Sequence, residues 1–173
     1  EILVNLIAGG YPGKIYPINP KADEIEGIKV YPDLASIGET PELVVIIVPA
    51  QFVAGMLEEC AKVNVKSVVI ITAGFKEVGK EGYHLEQEMV ELCKAHNIAL
   101  VGPNCLGLHC PAGGLSLDFN IPRQSGPVGF LAQSGGNACE IVGGAAERGM
   151  FISKGVSFGN AADIVFWNTT TNT

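Results

Sequence analysis

Four stretches of the chain are apolar at almost every position: LVVIIVPA (43–50), KSVVIITAG (66–74), IALVGPN (98–104) and GPVGFLAQSGG (126–136). A strand with one wet face alternates apolar and polar residues, whereas a strand covered on both faces need not. The runs therefore read as parallel strands buried on both sides. KIYPIN (14–19) and FISKGVSFGN (151–160) extend the series. Helical patterns lie between them. Phe52, Val53, Met56, Leu57, Cys60 and Val63 recur at spacings of three and four, as do Leu85, Met89, Leu92 and Cys93, and Ala138, Ile141, Val142 and Ala145. Strand, helix and strand in this rhythm give βαβ units and a doubly wound α/β fold.

Such a fold opens with a strand and a Gly-rich turn before its first helix. Here EILVNLIA (1–8) reads as the end of a helix stopped by Gly9-Gly10 and Pro12, so the first strand and turn are expected to be missing. VFWNTTTNT (165–173) follows a strand and turn without a helical pattern, and the chain reads as part of a longer protein. NIPRQSGP (120–127) is a compositional break suited to a domain boundary.

Composition narrows the function. The net charge is −7 and Lys and Arg are scattered, which argues against a nucleic-acid partner. No apolar run approaches the roughly 18 residues of a membrane span. The five cysteines include no CxxC pair, so a metal site is not expected and free thiols in a cytoplasmic protein fit best.

Ligands of open parallel sheets bind beyond the carboxyl ends of the strands. The segments there are NPKAD (19–23), VPAQF (48–52), TAGFKE (72–77), GPNCLG (102–107), QSGGN (133–137) and FGNAAD (158–163). They turn tightly and expose backbone N–H groups, but hold no Ser–His–Asp set, paired carboxylates or Walker A sequence. QSGGN closes a strand and opens a helix. Ser134, Gly135, Gly136 and Asn137 thus form either a phosphate-binding helix start or a simple capped turn.

The runs GKIYPINPKADEIEGIKVYPDL, VVIIVPAQFV, SVVIITAGFKEVGKEG, GPNCLG, GFLAQSGGNACEI and AAERGMFISKGVSFGNAADI occur in order between positions 13 and 164, within a match of roughly 1–165. Together they resemble the ADP- or NDP-forming acyl-CoA synthetases, relatives of the succinyl-CoA synthetase α subunit. The resemblance implies a Rossmann-like CoA-binding domain over 1–122, then the start of a flavodoxin-like ligase domain over 123–173. It implies the conversion of acyl-CoA, phosphate and ADP to carboxylic acid, CoA and ATP through an acyl phosphate and a phosphohistidine. The histidine is expected beyond residue 173, leaving no catalytic residue in this chain. ADP or ATP, with magnesium, is expected on an ATP-grasp subunit or fused domain, within an oligomer. The final NTTTNT departs from the family pattern.

By the same resemblance, Asn19, Pro20 and Lys21 hold the nucleotide end of CoA. Val48, Pro49 and Ala50 line the adenine or pantetheine path, and Ala73 and Gly74 admit the pantetheine arm. Asn104 and Cys105 lie near its thiol, and Ser134 to Asn137 receive phosphate. Cys105 then marks where the thiol of CoA arrives and is not a nucleophile. Cys60, Cys93 and Cys139 read as core, Cys110 as a loop residue, and His84, His96 and His109 as structural or surface residues. Lys76 and Glu77 read as a solvated loop, with contact to a ligand as the alternative, and Glu81, Glu86, Glu88 and Glu91 read as an exposed helix face. Two alternatives share the architecture: an NAD(P)-binding Rossmann module, and the non-catalytic CoA-sensing region of a protein acetyltransferase. Against the first, KIYPIN is followed by Pro-Lys and not by an acid placed for a ribose diol.

Overall fold

The computed structural model describes residues 2–117 and 121–163. Asn120 and the stretch 165–173 lie outside them. The elements are α1 (Ile2–Ala8), β1 (Glu24–Ile25), β2 (Ile28–Lys29), β3 (Val44–Ile46), α2 (Val53–Lys62), β4 (Ser67–Ile70), α3 (Lys80–Ala95), β5 (Ala99–Val101), β6 (Gly107–Cys110), β7 (Leu115–Ser116), β8 (Val128–Ala132), α4 (Gly135–Ala146) and β9 (Ile152–Ser157).

Strands β3, β4 and β5 form a parallel sheet in that order, with Val44 opposite Val68 and Val68 opposite Leu100. Both faces are covered, as continuous apolar runs require. Val68, Ile70 and Leu100 pack under α2 and α3 with Leu57, Cys60, Met89 and Cys93. Val69, on the other face, packs with Leu6 of α1, Cys105 and Leu117. After α2, Asn64 adopts a left-handed φ of 66°, which ends the helix and turns the chain into β4.

The second sheet runs β7-β6-β9-β8; β6 is antiparallel to both neighbours and β8 is parallel to β9. It takes strands from both sides of residue 122. GLHC (107–110) lacks a β-branched run, and its pairing with Val156 and Gly155 is tertiary. Cys110 therefore lies in a strand and not in a loop.

Several expectations change. Residues 14–19 join neither sheet as a strand; Ile18 makes a single bridge to Tyr31. Among the described residues, strand β8 is covered on one face only, with Leu131 73% exposed. Phe52, Leu85 and Ile141 face outward despite their helical spacing, and Cys139 is half-buried. Among the described residues, no helix is long and apolar enough to cross a membrane, and no cluster of His, Cys, Asp or Glu could hold a metal ion.

Candidate functional site

Three loops leave the carboxyl ends of β3, β4 and β5, and they are tied together. The Thr72 hydroxyl donates to the Val48 carbonyl at 2.6 Å, and the Asn104 N–H donates to the Thr72 carbonyl at 2.9 Å. Gly74 has φ 109°, a conformation side chains resist, and a Cβ there would sit 3.2 Å from the Ala50 Cβ. Pro49, Ala73 and Asn104 are exposed at the surface of this cluster.

Glu77 sets the shape of the second loop. Its Oε1 accepts from the N–H groups of Gly74 (2.6 Å) and Phe75 (3.1 Å), and its Oε2 accepts from the Asn160 amide at 2.6 Å. Partial burial pushes the carboxyl pKa up, but the hydrogen bonds from Asn160, Gly74 and Phe75 together hold it below the ordinary value. Lys76 is engaged as well: its ammonium lies 3.0 Å from Glu86 Oε1 and donates to the Asn160 carbonyl. This loop is thus internally bonded and not merely solvated.

Glu86 is the main correction. Its side chain is only 2% exposed, although its neighbours on the helix face water. A buried carboxylate needs partners. Besides Lys76, Glu86 Oε2 accepts from the Asn160 amide at 2.9 Å.

In the third loop, Gly102 (φ 109°) passes so close to β4 that a Cβ would meet the Ile70 carbonyl oxygen at 2.3 Å. The Gly102–Pro103 peptide is cis, and Asn104 follows at φ 55°. The Cys105 thiol is buried and donates to the Ile70 carbonyl at 3.3 Å. Burial pushes that thiol up to about 11, far from the reactive range.

The QSGGN turn stands beside this cluster. Ser134 caps α4 with extended backbone, its hydroxyl oxygen accepting from the Asn137 N–H at 3.3 Å. The N–H groups at the start of a helix lack intrahelical partners and point outward, as an anion requires. A Cβ on Gly135 would strike the Leu106 side chain at 2.5 Å, whereas one on Gly136 would meet nothing within 4 Å.

One segment spans the two turns. The N–H groups of Phe158 and Gly159 donate to the Ala132 and Gln133 carbonyls at 2.9 and 3.1 Å. Those of Asn160 and Ala162 donate to the Pro103 and Gly102 carbonyls at 2.9 and 3.1 Å. The structure thus gathers residues 48–50, 73–77, 102–106, 133–137 and 158–162. Asn19, Pro20 and Lys21 form a separate turn, in which the Lys21 N–H donates to Asn19 Oδ1 at 2.9 Å. Among the described residues it has no hydrogen bond to the loops after β3, β4 and β5.

The three histidines take no part in this cluster. His84 and His96 are exposed. His109 is buried on β6, and its Nδ1 lies 3.1 Å from the Ser116 hydroxyl.

Comparison with known proteins adds independent observations. The family model for a CoA binding domain matches residues 1–111. The α subunit of acetate–CoA ligase [ADP-forming] II from Pyrococcus furiosus is 39% identical over 154 residues, 89% of this chain and 34% of that protein. The acetate–CoA ligase [ADP-forming] of Methanocaldococcus jannaschii is 45% identical over 155 residues, 89% of this chain and 22% of its own length. Among solved structures, the dinucleotide-forming acetyl-coenzyme A synthetase 1 of Ca. Korarchaeum cryptofilum, in complex with phosphate and ADP, superposes with a TM-score of 0.88. It is 39% identical, covering 95% of this chain and 35% of that one. The chain thus spans about a third or less of the length of these relatives.

Proposed function

Starting from the premise that this chain belongs to the CoA binding domain family, we propose that it is the CoA-binding part of an ADP-forming acyl-CoA synthetase. In the whole enzyme, acyl-CoA, phosphate and ADP are interconverted with carboxylic acid, CoA and ATP. In the synthetic direction the CoA sulfur attacks the carbonyl carbon of an acyl phosphate. A C–S bond replaces the C–O bond, and phosphate leaves carrying the thiol proton.

The observation that carries this reading is the segment 158–162, hydrogen-bonded on one side to the Pro103 turn and on the other to the Gln133 turn. A thiol delivered to Asn104 and a phosphate held at the start of α4 would meet there. In this reading Val48, Pro49 and Ala50 line the adenine or pantetheine path, and Ala73 and Gly74 admit the pantetheine arm. Cys105 contributes backbone only, since its thiol is committed to Ile70. Asn19, Pro20 and Lys21 reach the nucleotide end, Lys21 as a point charge on phosphate. Ser134, Gly135, Gly136 and Asn137 receive the phosphate. The CoA-binding part ends near residue 122 and the ligase part begins at 123, with the β6–β7 hairpin lent to the second sheet. ADP or ATP with magnesium belongs to an ATP-grasp partner, fused or separate, and the phosphohistidine to a part outside this chain.

Calorimetric titration of the full-length protein with CoA, acetyl-CoA and NAD tests the reading. CoA binding at least tenfold tighter than NAD is expected; equal affinity for the two, or none for CoA, would overturn it.

A further inference from the structure

Every polar atom of Asn160 is committed to residues the two turns depend on. Asn160 is 8% exposed, and its amide nitrogen donates to Glu77 Oε2 (2.6 Å) and Glu86 Oε2 (2.9 Å). Its amide oxygen accepts from Asn104 Nδ2 at 3.3 Å. Its backbone N–H donates to Pro103 at 2.9 Å, and its carbonyl accepts from the Lys76 ammonium. An amide suits this place because two carboxylates need donors while the Asn104 amide needs an acceptor. Neither a carboxylate nor a hydrocarbon supplies both. The two residues before Asn160 are bonded to the carbonyls that precede Ser134.

From this geometry we infer that Asn160 is a positioning residue, fixing the turn that presents Asn104 against the turn that presents Ser134. The inference rests on the proposed reading of these turns as the thiol and phosphate ends of one site. Asn160 touches neither ligand. It acts through Glu77, which shapes the Gly74 loop, and through Asn104. Reacting groups held on the two turns would stay in register only while these bonds persist, and small misplacements cost rate steeply.

The test compares full-length wild type with Asn160→Asp, which sets a third carboxylate against Glu77 and Glu86. CoA affinity, phosphorylation of the enzyme by ATP without CoA, and complete ligation are measured separately. We expect the ligation kcat to fall on the order of tenfold or more. CoA affinity and phosphorylation should stay within about threefold, since no contact to either ligand is removed. Glu77→Gln, at an exposed position, opposes amide N–H groups to Asn160 or to Gly74 and should lower ligation well beyond phosphorylation even if Asn160→Asp folds poorly. The double variant Asn160→Asp with Glu77→Gln reverses the donor and acceptor of the 2.6 Å bond and should recover part of the loss. Unchanged ligation in Asn160→Asp and Glu77→Gln would overturn the inference. So would a parallel fall of ligation, CoA affinity, phosphorylation and thermal midpoint, which a purely structural residue would give. A wild type that binds no CoA would instead overturn the functional reading beneath it.

Discussion

A Cβ on Gly159 would stand 2.1 Å from the carbonyl oxygen of Asn104, so the two backbones touch with no room for a side chain. Gly159 also has φ 55°, in the left-handed region. Gly159→Ala is therefore expected to destabilise the protein by about 2 kcal/mol or more, by combined strain and overlap with backbone that cannot rotate away. Urea denaturation monitored by circular dichroism checks this; a loss below about 0.5 kcal/mol would mean the two turns separate easily.

The two glycines of QSGGN should respond differently to substitution. Gly136→Val adds bulk where nothing lies within 4 Å, so it should impair phosphate binding with stability nearly unchanged. Gly135→Val collides with Leu106 as well and should lower both. Thermal midpoints and phosphate titration of the two variants separate the effects. If Gly136→Val binds phosphate normally, the turn is only a capped helix start.

Lys21 is exposed, and its backbone is held independently by Asn19, so Lys21→Ala should leave the fold intact. If Lys21 makes the proposed charge-assisted phosphate contact, its loss should weaken CoA binding by about 1 kcal/mol or more, roughly fivefold. The effect should shrink as salt is raised. Calorimetry at two ionic strengths provides the check, and an unchanged affinity at low salt removes Lys21 from the site.

Thiol reactivity should follow burial. Cys60 and Cys93 are pushed up to about 12 and Cys105 to about 11 by desolvation, so their thiolates are scarce near neutrality. Cys110 and Cys139 are half-buried. Mass spectrometry after brief iodoacetamide treatment should find label on Cys110 and Cys139 first. Rapid labelling of Cys105 would show that its turn opens in solution.

His109 should make stability pH-dependent. Burial lowers its pKa below the ordinary imidazole value of 6.5, partly opposed by the backbone of Pro122. The neutral ring is the folded form, so the unfolded chain binds the proton first as pH falls. The contribution is whole above about pH 6.5 and is lost as pH drops below it toward the depressed value. The urea midpoint should fall between about pH 8 and pH 5.5, and His109→Asn should flatten that fall. An equal slope in both proteins would assign it to other groups.

The parallel core was legible because burial on both faces leaves a local signature in the runs at 43–50, 66–74 and 98–104. The β6–β7 hairpin was not, because its pairing partner lies over forty residues away at Gly155–Ser157. Phe52 and Ile141 show the limit of periodicity: spacing marks a face, but only the tertiary neighbours decide whether that face is covered. Glu86 could have been found. It lies on the stripe of Gly82, Met89, Val90 and Cys93, all buried, and an acid on such a stripe requires a buried partner. Asn160 carried no comparable signal, since an Asn in a loop ordinarily turns the chain.

Gly107 opens β6 in the second sheet, yet a Cβ on it would touch Val69 of the first sheet at 2.9 Å and Leu117 at 2.8 Å. The hairpin is therefore hydrogen-bonded to one layer while its side chains fill the underside of the other. A hinge needs a connection that can bend without dragging packed groups into water. Here, swinging one layer against the other would pull Leu117 from beneath Val69 and leave a hole in a close-packed interior. The two layers behave mechanically as a single stator. A phosphoryl group that came to the proposed site would therefore meet a body whose two layers are keyed together by that hairpin.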